Sequence, residues 1–158
     1  ILGDTIFASA AAAYDALAPE IRARLKGKRS THSYLAKMNA RKAAVGLTRE
    51  VTAEHLAKTP PVAHPIFRTH PVTGHKCIYI TDGECTGIDG MGDSEALPLI
   101  SELHRHLISP KFQYRHRWRV GDVLMWDNCT CQHLAVRDYG EGQRRLMHRV
   151  TVNGSVPF

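Results

Sequence analysis

Apolar positions early in the chain recur every four residues, at Leu17, Ile21 and Leu25, and this spacing predicts a helical stretch over 9–26. Ser9 stands where a cap is wanted ahead of a run of alanines, and Pro19 opens a second turn group that Gly27 ends. The basic, polar stretch 27–39 lacks any such period and reads as a loop or mobile lid. A short helix is predicted over 48–58, stopped by Pro60 and Pro61. The period then changes. From Val62 onward, short runs rich in β-branched and aromatic residues, VAHPIFRTH and HKCIYIT, flank Pro71-Val72-Thr73-Gly74, which predicts a hairpin. A further helix, capped by Asp93 or Ser94 and reaching Ile108, carries Leu99, Leu103 and Leu107 on one face, with Pro98 tolerated in its first turns. After Pro110, strands are predicted over FQYRHRWR, VLMWDN, 133–137 and RRLMHRVTV, separated by turns at Val120-Gly121-Asp122 and Gly140-Glu141-Gly142.

Short antiparallel strands interrupted by one long helix point to a mainly β fold with flanking helices, a jelly roll or double-stranded β-helix rather than a βαβ sheet. With 158 residues, a single domain over 1–158 is expected. Composition narrows the field further. Hydrophobic residues at 43% and charged residues at 23% exclude a disordered or fibrous chain. A net charge of +6 suits small anions as well as nucleic acid, so it selects neither alone. No apolar run is long enough for a membrane helix, and Cys77, Cys85, Cys129 and Cys131 are too few and too unevenly placed for a disulfide framework, so a reducing cytoplasm is expected. The chain opens at Ile1 without an initiator Met, in a segment that reads as mid-domain, which suggests a piece of a longer protein.

Alternation in RRLMHRVTV puts Arg145, Met147, Arg149 and Thr151 on one face and Leu146, His148, Val150 and Val152 on the other. Arg145 and Arg149 are then roughly 13 Å apart, too far to grip one small carboxylate together. Either each meets its own anion, or both belong to a solvated face above a buried Leu146, Val150 and Val152. His133 is a lone imidazole, and one ligand does not make a metal site. Cys129, Cys131 and His133 alternate without a second pair at zinc-finger spacing, so the cysteines read as packing residues. Tyr114, His116 and Trp118 alternate with Arg115, Arg117 and Arg119, which fits an RNA-stacking platform and equally an ordinary amphipathic strand.

Taken together, GDTIFAS at 3–9, HPIFRTHPVTGHKCIYI at 64–80, and WDNCTCQHLAVRDY followed by QRRLMHRVTV resemble the taurine dioxygenase family, which includes phenoxyacetate dioxygenases. The segments occur in the family's order over nearly the whole chain, with a weak match only over about 27–59. The resemblance implies Fe(II)- and 2-oxoglutarate-dependent oxygenase chemistry on a double-stranded β-helix. It would consume O2, release succinate and CO2, and hydroxylate a small anionic organic substrate such as an alkylsulfonate. Carried over by position, His133 looks like the distal histidine of the iron's two-His-one-carboxylate triad. Arg145 resembles the arginine that pairs with the far carboxylate of 2-oxoglutarate, and Thr5 the hydroxyl that assists it. Arg149 resembles the arginine that holds the substrate's anion, with Trp126 beside the pocket.

The family's His-x-Asp or His-x-Glu pair of iron ligands, which precedes Gly-Asp-Thr, has no counterpart in these residues. The sequence therefore corresponds to the C-terminal portion of the family's domain. The alternative is an inactive, truncated relative that binds anions or a partner. No general acid or base is singled out, nucleic acid and membrane are not expected partners, and the oligomeric state is open.

Overall fold

The computed structural model describes residues 2–43, 46, 52–140, 142–143 and 145–158. The first element is strand β1 (Thr5–Ser9), followed by helices α1 (Ala10–Asp15) and α2 (Pro19–Leu25). The predicted helix 9–26 is thus broken where Pro19 restarts it, and Ser9 caps α1 by accepting from the Ala12 N–H. Strand β2 (Arg29–His32) and helix α3 (Tyr34–Ala43) occupy the stretch expected to be a loop or lid. Their order is tertiary. Ser30 and His32 alternate inward between β3 (Val62–Pro65) and β6 (Cys85–Ile88), while Ser33 Oγ accepts from the Ala36 N–H at the start of α3. Helix α4 (Ala53–Lys58) is capped by Thr52, and the rest of the predicted helix, 48–51, lies outside the described residues.

Strands β4 (Phe67–Thr69) and β5 (Lys76–Ile78) form the expected hairpin, with Gly74 at φ +71° supplying its left-handed turn residue. Helix α5 (Asp93–Leu107) buries Leu99, Leu103 and Leu107, each contributing about 1.5–3 kcal/mol. Its N-cap is Gly92, without a side-chain bond, rather than Asp93 or Ser94. A 3-10 turn at Pro110–Phe112 leads into β7 (Gln113–His116), and β8 (Cys131–Ala135) completes the set.

Three antiparallel sheets result, in the orders β7-β1-β8, β3-β2-β6 and β4-β5; among the described residues they do not close into a barrel. The core lies between α1, α5 and the inner faces of β4, β5 and β6. Two expected strands, over VLMWDN and RRLMHRVTV, have no ladder among the described residues. The faces of the second are also reversed from the alternative with a buried apolar side. Leu146, Val150 and Val152 are 81%, 96% and 90% exposed, while Arg145 turns inward. Alternation gives two faces but does not say which one another layer will cover.

Within the second sheet, His32 is 6% exposed. Its Nε2 is 2.9 Å from Ser30 Oγ, and its ring stacks on Tyr79 and meets His64 edge-on. Burial, reinforced by His64 and Lys37 and opposed by Glu84, lowers its pKa from 6.5 to about 4. The unfolded chain therefore takes up a proton below pH 6.5 that the folded chain refuses until about pH 4. Stability is expected to fall by about 3 kcal/mol as pH drops through that window. His32→Gln should flatten this part of the pH dependence of the urea midpoint; an unchanged slope would show that His32 is not its source.

Candidate active site

Strand β1 organises the candidate side chains because alternate residues share a face. Gly3, just ahead of the strand, has φ +85°, and a Cβ built there would lie 2.5 Å from Cδ and Nε of Arg145. Only a glycine allows both the backbone and the crossing guanidinium. Arg145 Nε donates to Gly3 O at 3.0 Å, and its two terminal nitrogens have no protein acceptor among the described residues. The Gly3 N–H donates to Asp138 Oδ1 at 2.5 Å. Buried Asp4 accepts from Arg115 Nε at 2.7 Å, and Arg115 also reaches Asp138 at 3.4 Å. This network fixes the start of β1 and leaves Arg145's outer fork unspent.

Two residues on, buried Thr5 accepts a hydrogen bond from Trp118 Nε1 at 2.9 Å. Two further, Phe7 stands opposite His133 in the β1/β8 register. Phe7, Trp126 and His133 form a ring trio, with centroids 5.2 Å apart for Phe7–Trp126, 6.1 Å for Phe7–His133 and 5.0 Å for Trp126–His133. Partial desolvation, together with the charges of Arg149 and Lys37, holds the His133 pKa below its ordinary value. The imidazole is therefore neutral at pH 7, with a lone pair to offer. Arg145 at Gly3, Thr5 itself and His133 opposite Phe7 thus follow one another along the chain from Gly3 into β1.

The two arginines have different neighbours, although the strand expected to space them is not formed among the described residues. Arg145 sits at Gly3, whereas exposed Arg149 acts on His133. Asp4, Asp138 and Lys37 are participants that the sequence did not single out, while Trp118 and Arg115 entered there only as members of an alternating strand or stacking platform and not of this site. For Trp118 a signal existed: it shares the alternating face of Tyr114 and His116, which pair with Phe7 and Thr5.

No three His, Cys, Asp or Glu side chains converge around His133 among the described residues; His70, Asp127 and Cys129 are the trio that does converge. His70 Nδ1 accepts from the Val72 and Thr73 N–H groups at 3.2 and 2.9 Å, so its proton is on Nε2, facing Asp127 Oδ2 at 2.7 Å. In that tautomer no lone pair faces Asp127 and Cys129, so the trio is a satisfied hydrogen-bond cluster that ties the β4–β5 hairpin to the turn ahead of β8.

Comparisons with known proteins agree on one family. The model for "Taurine catabolism dioxygenase TauD, TfdA family" matches residues 3–151. The alpha-ketoglutarate-dependent 2,4-dichlorophenoxyacetate dioxygenase of Burkholderia sp. (strain RASC) is 37% identical over 152 residues, covering 96% of this chain and 49% of that protein. The alpha-ketoglutarate-dependent sulfate ester dioxygenase of Pseudomonas putida is 33% identical, with 98% and 52% covered. Among solved structures, AAD-2 in complex with Mn(II) and N-oxalylglycine superposes with a TM-score of 0.85 at 37% identity, covering 98% of this chain and 59% of that one. The chain spans about half the length of the curated relatives it matches.

Proposed function

We propose, from the premise that this chain belongs to the taurine catabolism dioxygenase TauD, TfdA family, that it supplies the cosubstrate-binding and substrate-binding half of a dioxygenase site built on a double-stranded β-helix (jelly roll). The reaction is hydroxylation of a small anionic organic molecule, an alkylsulfonate, sulfate ester or aryloxy acid, in the cytoplasm. The family uses Fe(II), 2-oxoglutarate and O2. Bound 2-oxoglutarate supplies the electron pair for oxygen reduction through its own decarboxylation to succinate and CO2.

The observation that carries this reading is the set of stations along β1. Arg145 is anchored through Nε to Gly3 O with its terminal nitrogens unpaired among the described residues, the Thr5 hydroxyl lies two residues on, and neutral His133 stands opposite Phe7, two residues further. A bidentate fork and a hydroxyl suit a carboxylate, so these residues fit 2-oxoglutarate. In this reading Arg145 and Thr5 hold the far carboxylate, Arg149 holds the substrate's anion, and Trp126 packs beside both the substrate and His133. The iron is a different matter. A facial triad needs three protein donors, and the described residues bring only His133 to this place. That shortfall also supports a second reading, an anion-binding module without oxygenase activity.

The 158 residues by themselves are expected to bind 2-oxoglutarate weakly and to release no succinate above a no-enzyme control, since one imidazole holds Fe(II) poorly. Expressed with any sequence that flanks it in its gene, the chain is expected to give substrate-dependent succinate that His133→Ala abolishes. Cosubstrate binding without succinate in that form would favour the anion-binding module. Robust succinate from the 158 residues alone would overturn the ligand assignment.

A further inference from the structure

We infer that Trp118 is a positioning residue for the cosubstrate, presetting the Thr5 hydroxyl as a donor to the far carboxylate; the inference rests on the proposed role of Arg145 and Thr5. A threonine hydroxyl has one hydrogen and two lone pairs, whereas an indole N–H only donates. At 2.9 Å, Trp118 Nε1 therefore occupies a lone pair of Thr5 Oγ1 and cannot receive the Thr5 proton. The hydroxyl is buried and makes no other hydrogen bond among the described residues, so its hydrogen has no protein acceptor there. Its hydrogen is thereby directed at whatever acceptor enters beside the free fork of Arg145.

Trp118 is itself braced. Its ring meets His116 edge-on, with centroids 4.6 Å apart. His116 Nε2 lies 3.1 Å from Asp122 Oδ2, which also accepts from the Arg119 N–H at 2.9 Å. His116 stands opposite Thr5 in the β1/β7 register, so the turn after β7 folds the indole back over the strand that carries its acceptor. An apolar ring would satisfy the packing equally well. What the indole adds is one donor aimed at one oxygen.

Trp118→Phe keeps the ring and removes that donor. In titrations of the full chain with 2-oxoglutarate, this variant is expected to weaken binding about three- to tenfold, the scale of one neutral hydrogen bond. Thr5→Val should weaken it at least as much, and Trp118→Phe combined with Thr5→Val should be no weaker than Thr5→Val alone, because the indole acts through the hydroxyl. The indole N–H resonance should shift on addition of 2-oxoglutarate and lose that response in Thr5→Val. Additive losses, or an affinity for Trp118→Phe within about twofold of the parent, would overturn the inference. If Arg145→Ala still abolishes binding in that case, the cosubstrate assignment stands without Trp118. If neither variant changes the titration, or the parent shows no response at millimolar 2-oxoglutarate, both readings fail.

Discussion

Arg145→Ala is expected to cost about 2–4 kcal/mol in 2-oxoglutarate binding, a rise in Kd of roughly 30- to 1,000-fold, because it removes a charge-assisted, bidentate pair at the foot of β1. The stem of Arg145 is fixed by its bond to Gly3 O, so little side-chain entropy remains to be lost on binding. Lysine is not an adequate substitute. It retains the charge but loses both the fork and the Nε anchor, so Arg145→Lys should recover only a small part of the loss. Titration of the folded variants decides the matter: an unchanged Kd for Arg145→Ala would mean that its free nitrogens face only solvent and that the carboxylate assignment is wrong.

Arg149→Ala should give the opposite profile. Its charge acts at His133, four residues further along than Arg145, so cosubstrate affinity should be nearly intact while the primary substrate binds at least tenfold more weakly, by about 1.5–3 kcal/mol. Without that anchor the substrate's reactive C–H is no longer held in place, and succinate formation should exceed product formation. The ratio of the two is the measurement. A second readout is independent of turnover: because Arg149 depresses the His133 pKa, its removal should move that pKa up toward the ordinary imidazole value in an NMR titration. Loss of cosubstrate binding with coupling preserved would exchange the roles of the two arginines.

The sequence was most legible where local periodicity and burial agree. The Leu99, Leu103 and Leu107 stripe and the Pro71–Gly74 turn needed no tertiary information, and both elements formed as expected. Strand β2 and helix α3 were hidden because Lys28, Arg29 and Lys37 break the apolar pattern. Ser30 and His32 go inward because two neighbouring strands offer them partners, not because they are hydrophobic. Cap choice at α5 was equally local and equally ambiguous, since Gly92, Asp93 and Ser94 all suit a helix start. Within the site, the strand over which alternation spaced Arg145 and Arg149 has no ladder among the described residues; the two are told apart instead by Arg145's bond to Gly3 O and Arg149's charge at His133. Alternation could not show that Arg145 crosses Gly3, a contact spanning 142 residues of sequence, nor that Trp118 reaches Thr5 across 113.

The outward-facing apolar residues bear on how this chain behaves in bulk solution. The accessible surface of these 158 residues, 10,729 Å², is larger than the ~7,900 Å² typical of a compact monomer of that mass, in a chain that spans about half the length of its curated relatives. Part of the excess is apolar: Val120, Val123, Met125, Leu146, Val150 and Val152 all stand exposed. For these 158 residues expressed by themselves, the +6 charge opposes association through a long-range repulsion that salt shortens to about 10 Å at 0.1 M. The solubility of these 158 residues alone is expected to decline both with added salt and as pH approaches the isoelectric point near 9.4, since either change weakens that repulsion while the apolar residues stay exposed; light scattering is the measurement.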